Sequence, residues 1–237
     1  MRKEPFTIGD YIHVYNRGNK KMPIIYNESD RWRFLRCIRY FNDEYARIQI
    51  FRELAQLQKS NFCRPFEWPN GWPPHRPLVK ILAYHLTENH FHLLLKETIV
   101  GGVTKFMRKL GTGFTNYINI KYEETGKIFQ GSYKSRTIKD EKYLQYLDAY
   151  IQVLNPLELY PGGIEKALKD FDKAFEFAMN YPFCSLGENF GKRNLGIIDR
   201  DILRETFPNL EAYKKFAYDA LILRNAREIL GRLVIER

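Results

Sequence analysis

Cysteine is scarce in this chain. Cys37, Cys63 and Cys184 stand far apart with no CxxC pairing, which excludes both a disulfide framework and a four-thiolate zinc site. Long apolar runs are missing as well. No uninterrupted hydrophobic stretch approaches membrane-spanning length, and the opening "MRKEPFTIGDYIHVYNRGNK" has no apolar signal-like core. Internal repeats and low-complexity tracts are likewise lacking. These absences fit an unprocessed protein of a reducing cytoplasm.

What is present is a core-forming composition with a charge excess. The 237 residues are 44% hydrophobic and 15% aromatic, enough for one sizeable core with or without a smaller appendage. Lysine and arginine number 38 against 28 acidic residues, a formal net charge of +10. That balance favours a polyanionic partner, nucleic acid before an anionic membrane.

"YIHVYNRG" (Tyr11 to Gly18) reads as a strand ending at a glycine. The segment "NESDRWRFLRCIRYFNDEYARI" opens at a cap, Ser29 or Asp30, and carries Trp32, Phe34, Leu35, Ile38 and Phe41 at helical spacing. The proline-rich "RPFEWPNGWPPHRP" (Arg64 to Pro77) predicts a loop. Two strands follow, "LVKILAYHLT" (Leu78 to Thr87) and "HFHLLLKE" (His90 to Glu97), joined by a turn at Glu88-Asn89. A helix is expected from about Thr104 with Phe106, Leu110, Phe114, Tyr117 and Ile118 as its stripe, weakened by Gly111 and Gly113. "IFQGSYKSRTI" (Ile128 to Ile138) reads as a strand or arm, and a further helix runs from about Asp140 to a stop near Asn155-Pro156. The remainder is mostly helical, divided by the linker-like "ENFGKRNLG" (Glu188 to Gly196). This order predicts an α+β fold, a ferredoxin-like antiparallel sheet with helices on one face and a helical C-terminal extension. The expected division is 1–160 for the catalytic domain and 161–237 for the extension.

Three features could carry chemistry. Alternation on a strand places His90 and His92 on one face and Phe91 on the other. Two neutral imidazoles so placed can chelate a divalent ion, although isolated H-x-H pairs are more often hydrogen-bonded core or surface histidines. Asn89 offers a further polar oxygen, and His85 reads as structural. Tyr143, Tyr146 and Tyr150 share a helix face, either as amphipathic packing or with one phenol as a nucleophile that needs activation. Between Lys105 and Lys139, the cations Lys105, Arg108, Lys109, Lys121, Lys127, Lys134, Arg136 and Lys139 face only Glu123 and Glu124. Phe106, Phe114, Tyr117, Tyr122, Phe129 and Tyr133 are interleaved with them. Cations for phosphates and rings for bases suit single-stranded nucleic acid.

In this order, "YIHVYNRGNKK", "ENHFHLLLK", "KFMRKLGTGFTNYINIKYEETGKIFQGSYKS" and "YLQYLDAYIQVLNP" resemble the REP-associated tyrosine transposases of the HUH endonuclease superfamily. The resemblance covers roughly residues 8 to 160, and less sharply "YPFCSL". It implies a metal-dependent endonuclease and strand transferase acting on single-stranded or hairpin DNA. On that basis Tyr150 is the nucleophile, forming a 5′-phosphotyrosyl link and leaving a free 3′-OH. His90 and His92 hold Mg²⁺ or Mn²⁺, with Asn155 as the third ligand. Arg17, Lys105, Arg108, Lys109, Lys127, Lys134 and Arg136 are the implied DNA-binding cations.

One departure concerns the amide ligand, which the family places four residues after the tyrosine. Here position 154 is leucine and Asn155 lies five away. A local bulge could realign Asn155, Gln152 could substitute, or water could fill the place. A shifted register would make Tyr146 the nucleophile, but its fourth residue on is Tyr150, which offers no amide. Glu88 stands where relatives commonly have proline. Two other readings stay open: a non-catalytic binder of structured nucleic acid on the same fold, and a hydrolase of small phosphoesters, which would not need the basic patch. The C-terminal pattern "LRETFPNLEAYKKFAYDALI" suits helix packing, DNA contact or a homodimer interface, and the sequence does not choose.

Overall fold

The computed structural model describes residues 5–47, 49–59, 65–200 and 206–235; Arg64 and Cys63 lie outside them. Its centre is a four-stranded antiparallel sheet in the order β2-β3-β1-β4, formed by β1 (Tyr11–Arg17), β2 (Val79–Leu86), β3 (His90–Glu97) and β4 (Lys134–Ile138). Helix α1 (Glu28–Phe41) joins the first two strands, followed by α2 (Ile50–Lys59), while α3 (Gly102–Tyr122) joins β3 to β4. This is the expected α+β arrangement.

Alternation along the strands creates two different faces. Ile12, Val14, Phe91, Leu93 and Leu95 face α1 and α3, where Phe34, Leu35, Phe106, Leu110 and Phe114 complete the main core. Phe34 stands edge-on to Phe114 with ring centroids 4.9 Å apart and lies 5.1 Å from Phe91. Gly113 permits this packing, because a Cβ there would come within 2.3 Å of Phe41 Cε2. Gly111 meets no such neighbour.

The opposite face carries a second, smaller apolar set, including Leu82, Ala83, Leu94 and Ile138. It is covered by α4 (Glu141–Ala149), which continues through a π turn (Tyr150–Leu154) into α5 (Asn155–Leu157). The crossover helices occupy one face as expected, and the tyrosine-bearing helix adds a layer on the other. Beyond it pack α6 (Gly163–Lys169), α7 (Phe171–Asn180), α8 (Leu186–Asn189) and α9 (Leu210–Ile235). Val153, Leu154 and Leu157 share a third core with Phe175, Ala178, Ala217 and Leu221.

Several boundaries differ from expectation for local reasons. Asn27, not Ser29 or Asp30, caps α1; its side chain accepts from the Asp30 N–H while the Asp30 carboxylate accepts from the Asn27 N–H, a capping box. Helix α3 starts two residues early, at Gly102. Only Lys134–Ile138 of the proposed 128–138 strand is a strand; residues 128–133 form an arm held to the end of β1 through the Asn19 N–H to Ile128 and the Gln130 N–H to Arg17. The tyrosine helix passes Pro156 to reach Leu157. Proline donates to no carbonyl, and the Cys184 thiol instead donates to the Gln152 carbonyl at 3.2 Å. The 188–196 segment is no free linker. Glu188 is buried and accepts from the backbone N–H groups of Leu195 and Ile197 at 3.2 and 3.0 Å.

Candidate active site

The face under the tyrosine helix gathers histidines from three strands. His92 on β3 pairs with Tyr15 of β1 on one side and His85 of β2 on the other. A β-bulge between Ile81 and Ala83 turns His85 onto this face. Without that extra residue, alternation from Val79 and Ile81 would send His85 into the main core.

Side-chain partners hold the imidazoles through one ring nitrogen each. His90 Nδ1 lies 2.7 Å from Asn89 Oδ1 and 2.8 Å from Thr87 Oγ1. An amide oxygen only accepts, so Nδ1 carries the proton and Nε2 keeps its lone pair. His92 Nδ1 is 2.9 Å from His13 Nε2, and the two rings stack with centroids 5.2 Å apart. A His92 that donates through Nδ1 likewise keeps Nε2 as a donor atom for a metal. The His90 and His92 rings are 5.2 Å apart and perpendicular.

All four imidazoles are held neutral. Burial pushes His92 down to about 2, helped by its neighbours His13, His90 and His85. Burial lowers His13 to about 4, with Arg136 adding repulsion, and lowers His85 to about 3. His90 also falls below its ordinary value through burial. Neutral nitrogen is the form that ligates metal. His85 is 1% exposed, and neither ring nitrogen has a hydrogen-bond partner.

Tyr150 begins the π turn, its ring edge-on to His92 at a centroid distance of 5.7 Å. Tyr143, Tyr146 and Tyr150 form a row, with successive centroids 6.5 and 6.4 Å apart. Burial raises the Tyr150 phenol above its ordinary value, an effect opposed by the positive charge of Arg224. The π turn spans the five-residue spacing, with the Asn155 N–H bonded to the Tyr150 carbonyl, five residues back. Asn155 is 3% exposed, and its Nδ2 is buried without a hydrogen-bond partner. Gln152 is engaged elsewhere. Its Nε2 donates to Asp148 at 2.7 Å, and its Oε1 accepts from Ser185 at 2.9 Å and Asn189 at 2.5 Å.

The expected DNA-binding cations divide between two regions. Arg136 and Lys134 pair with His13 and Tyr15 across β1 and β4, beside the histidines. Arg17 pairs with His90 and bonds to Gln130 of the arm. Arg108 and Lys127 line a cavity of about 520 Å³ between α3 and the arm, on the side of Phe91. Lys105 is exposed on α3. Lys109 is anchored to the carbonyls of Asp43 and Glu44 at 2.6 and 3.1 Å, a structural engagement. Lys121 likewise ion-pairs with buried Asp30 at 2.6 Å.

His13 and Arg224 are the site residues that sequence reasoning missed. The alternation of Tyr11, His13 and Tyr15 against Ile12 and Val14 could have placed His13 on this face. Nothing local in the sequence marks Arg224.

The family model described as "Transposase IS200 like" matches residues 76–153, a third of the chain running from β2 through Tyr150. Over that segment the chain is similar to the IS200-like transposases. The matched segment contains His90, His92 and the candidate nucleophile, while His13 and the C-terminal helices lie outside it. A solved structure of a REP-associated tyrosine transposase bound to a REP hairpin is similar over 85% of this chain and 88% of its own, at 13% identity and a TM-score of 0.46. No curated protein matches the chain. No helix among the described residues is long and apolar enough to cross a membrane.

Proposed function

We propose that this transposase relative is a metal-dependent, single-stranded DNA endonuclease and strand transferase of the REP-associated tyrosine type, acting on hairpin-associated DNA. The observation that carries this reading is the Tyr150 ring standing 5.7 Å from His92, above the perpendicular His90–His92 pair. In the reaction the Tyr150 hydroxyl oxygen bonds to phosphorus and the phosphorus–O3′ bond breaks. The phenol gives up one proton and the departing 3′-oxygen takes one. The product is a 5′-phosphotyrosine and a free 3′-OH, so rejoining needs no external energy source.

Mg²⁺ or Mn²⁺ fits the donor set: two imidazoles with available nitrogens and the buried Asn155 side chain, whose Oδ1 is the atom able to coordinate a divalent ion. His90, His92 and Asn155 would hold it, and the ion would polarise the scissile phosphate. Gln152 is a poor candidate, because moving it would strip partners from Asp148, Ser185 and Asn189. The protein's own contribution is orientation. His13 fixes the ring of His92, and the Thr87–Asn89 turn fixes His90. Arg17, Lys134 and Arg136 supply positive charge for the backbone of an incoming strand.

Incubation of a labelled single-stranded hairpin with Mn²⁺, followed by a denaturing gel, tests the reading. The expected result is a covalent protein–DNA adduct that disappears in Tyr150→Phe and in His92→Ala. Tight, salt-sensitive binding without any nick would instead identify a non-catalytic binder.

A further inference from the structure

The C-terminal helix reaches the candidate nucleophile. Along α9, Tyr213, Ala217, Ala220 and Leu221 form a buried stripe at helical spacing. Arg224 is the next position of that stripe, three residues after Leu221. There its guanidinium carbon lies 5.5 Å from the centroid of the Tyr150 ring. The Glu158 carboxylate, just beyond α5, ion-pairs with the same guanidinium, whose side chain is only 18% exposed.

An aliphatic residue would continue this stripe without removing a charge from water. The placement of a cation here therefore calls for an electrostatic reason. Aromatic faces attract guanidinium groups, and more strongly when water is kept away. The other end of the tyrosine row is built the same way. Arg136 lies 4.8 Å over the Tyr143 ring and donates to its hydroxyl at 3.3 Å. Two guanidinium groups thus bracket three stacked rings, and Tyr150 is held between Arg224, Tyr146 and His92.

We propose that Arg224 is a positioning residue for Tyr150, by which the C-terminal helix completes the active site. Arg224 clamps the phenol ring over the histidine pair and places a positive charge beside the nucleophile as the negatively charged phosphodiester arrives. Glu158 keeps the guanidinium in register with the ring. The proposal rests on Tyr150 being the nucleophile.

The test uses the full-length protein with Mn²⁺ and a labelled hairpin carrying a single-stranded extension, comparing wild type with Arg224→Met and Arg224→Lys. Adduct formation at saturating DNA is expected to slow about tenfold in Arg224→Met, as when a nucleophile loses its alignment. DNA affinity and melting temperature should stay near wild type, and Arg224→Lys should recover part of the rate. Unchanged adduct formation in Arg224→Met overturns the proposal. So does a parallel loss of DNA affinity and melting temperature, which would mark Arg224 as packing alone. Wild type that forms no adduct, or Tyr150→Phe that still forms one, would defeat the reading of the nucleophile rather than the reading of Arg224.

Discussion

His13 shows what single residues contribute to this site. Its contact with His92 at 2.9 Å holds that ring through Nδ1, leaving Nε2 for the proposed metal. Replacing it with alanine is expected to weaken Mn²⁺ binding about tenfold, the usual effect of losing a partner behind a ligand. Calorimetric titration of the metal into the free protein measures this without any turnover. Unaltered affinity would show that His92 orients itself. The histidine pair was legible in the sequence because strand alternation is local and its period is two. His13 was legible only in part, since a lone histidine on a strand has many uses and its partner lies 79 positions away. Gly113 could be seen to weaken α3, but the reason for it, the Phe41 ring, belongs to another helix.

The element that bears on the proposed third ligand is the π turn. Asn155 and Gln152 stand differently around it, the Asn155 Nδ2 buried without a partner and the Gln152 amide locked among Asp148, Ser185 and Asn189. Asn155→Ala is accordingly expected to lower Mn²⁺ affinity with little change in stability. Gln152→Ala should do the reverse, leaving metal binding intact while costing about 2 kcal/mol through unsatisfied buried partners. Urea unfolding and metal titration of the two variants separate these outcomes, and a loss of affinity confined to Gln152→Ala would reverse the assignment. The sequence showed the five-residue spacing without resolving it. The turn is stabilised by what surrounds Pro156, including a thiol from 32 positions further along. Strands, crossover helices and the order of elements were readable because their signals are periodic and local. The shared core that joins the C-terminal helices to the tyrosine helix depends on tertiary contacts that no local pattern records.

Across the whole molecule, the buried histidines set the response to acid. Unfolded imidazoles take up a proton near pH 6.5, whereas folded His13, His85 and His92 resist it down to about 4, 3 and 2 because burial disfavours the charge. The unfolded state therefore binds more protons below pH 6.5, and stability falls as the pH drops. Asp148 acts in the opposite sense. Burial lifts its carboxyl from 3.8 to about 7, so its contribution declines as the pH rises through that window. Three imidazoles outweigh one carboxyl, giving a net loss on acidification of about 2–3 kcal/mol per pH unit at the steepest point. Urea unfolding of metal-free protein between pH 4.5 and 7.5 should show this slope, and Asp148→Asn should steepen it. A flat profile would mean that the histidines are solvated in solution.

The central claim is that Tyr150, set over a metal-binding histidine pair, forms a covalent bond with DNA. It is tested most directly by trapping the adduct on a hairpin oligonucleotide, digesting the protein and locating the nucleotide-bearing residue by mass spectrometry. The structure predicts a phosphotyrosine at Tyr150. A modification at Tyr146 or Tyr143, or bound DNA that never becomes covalently attached, would contradict it.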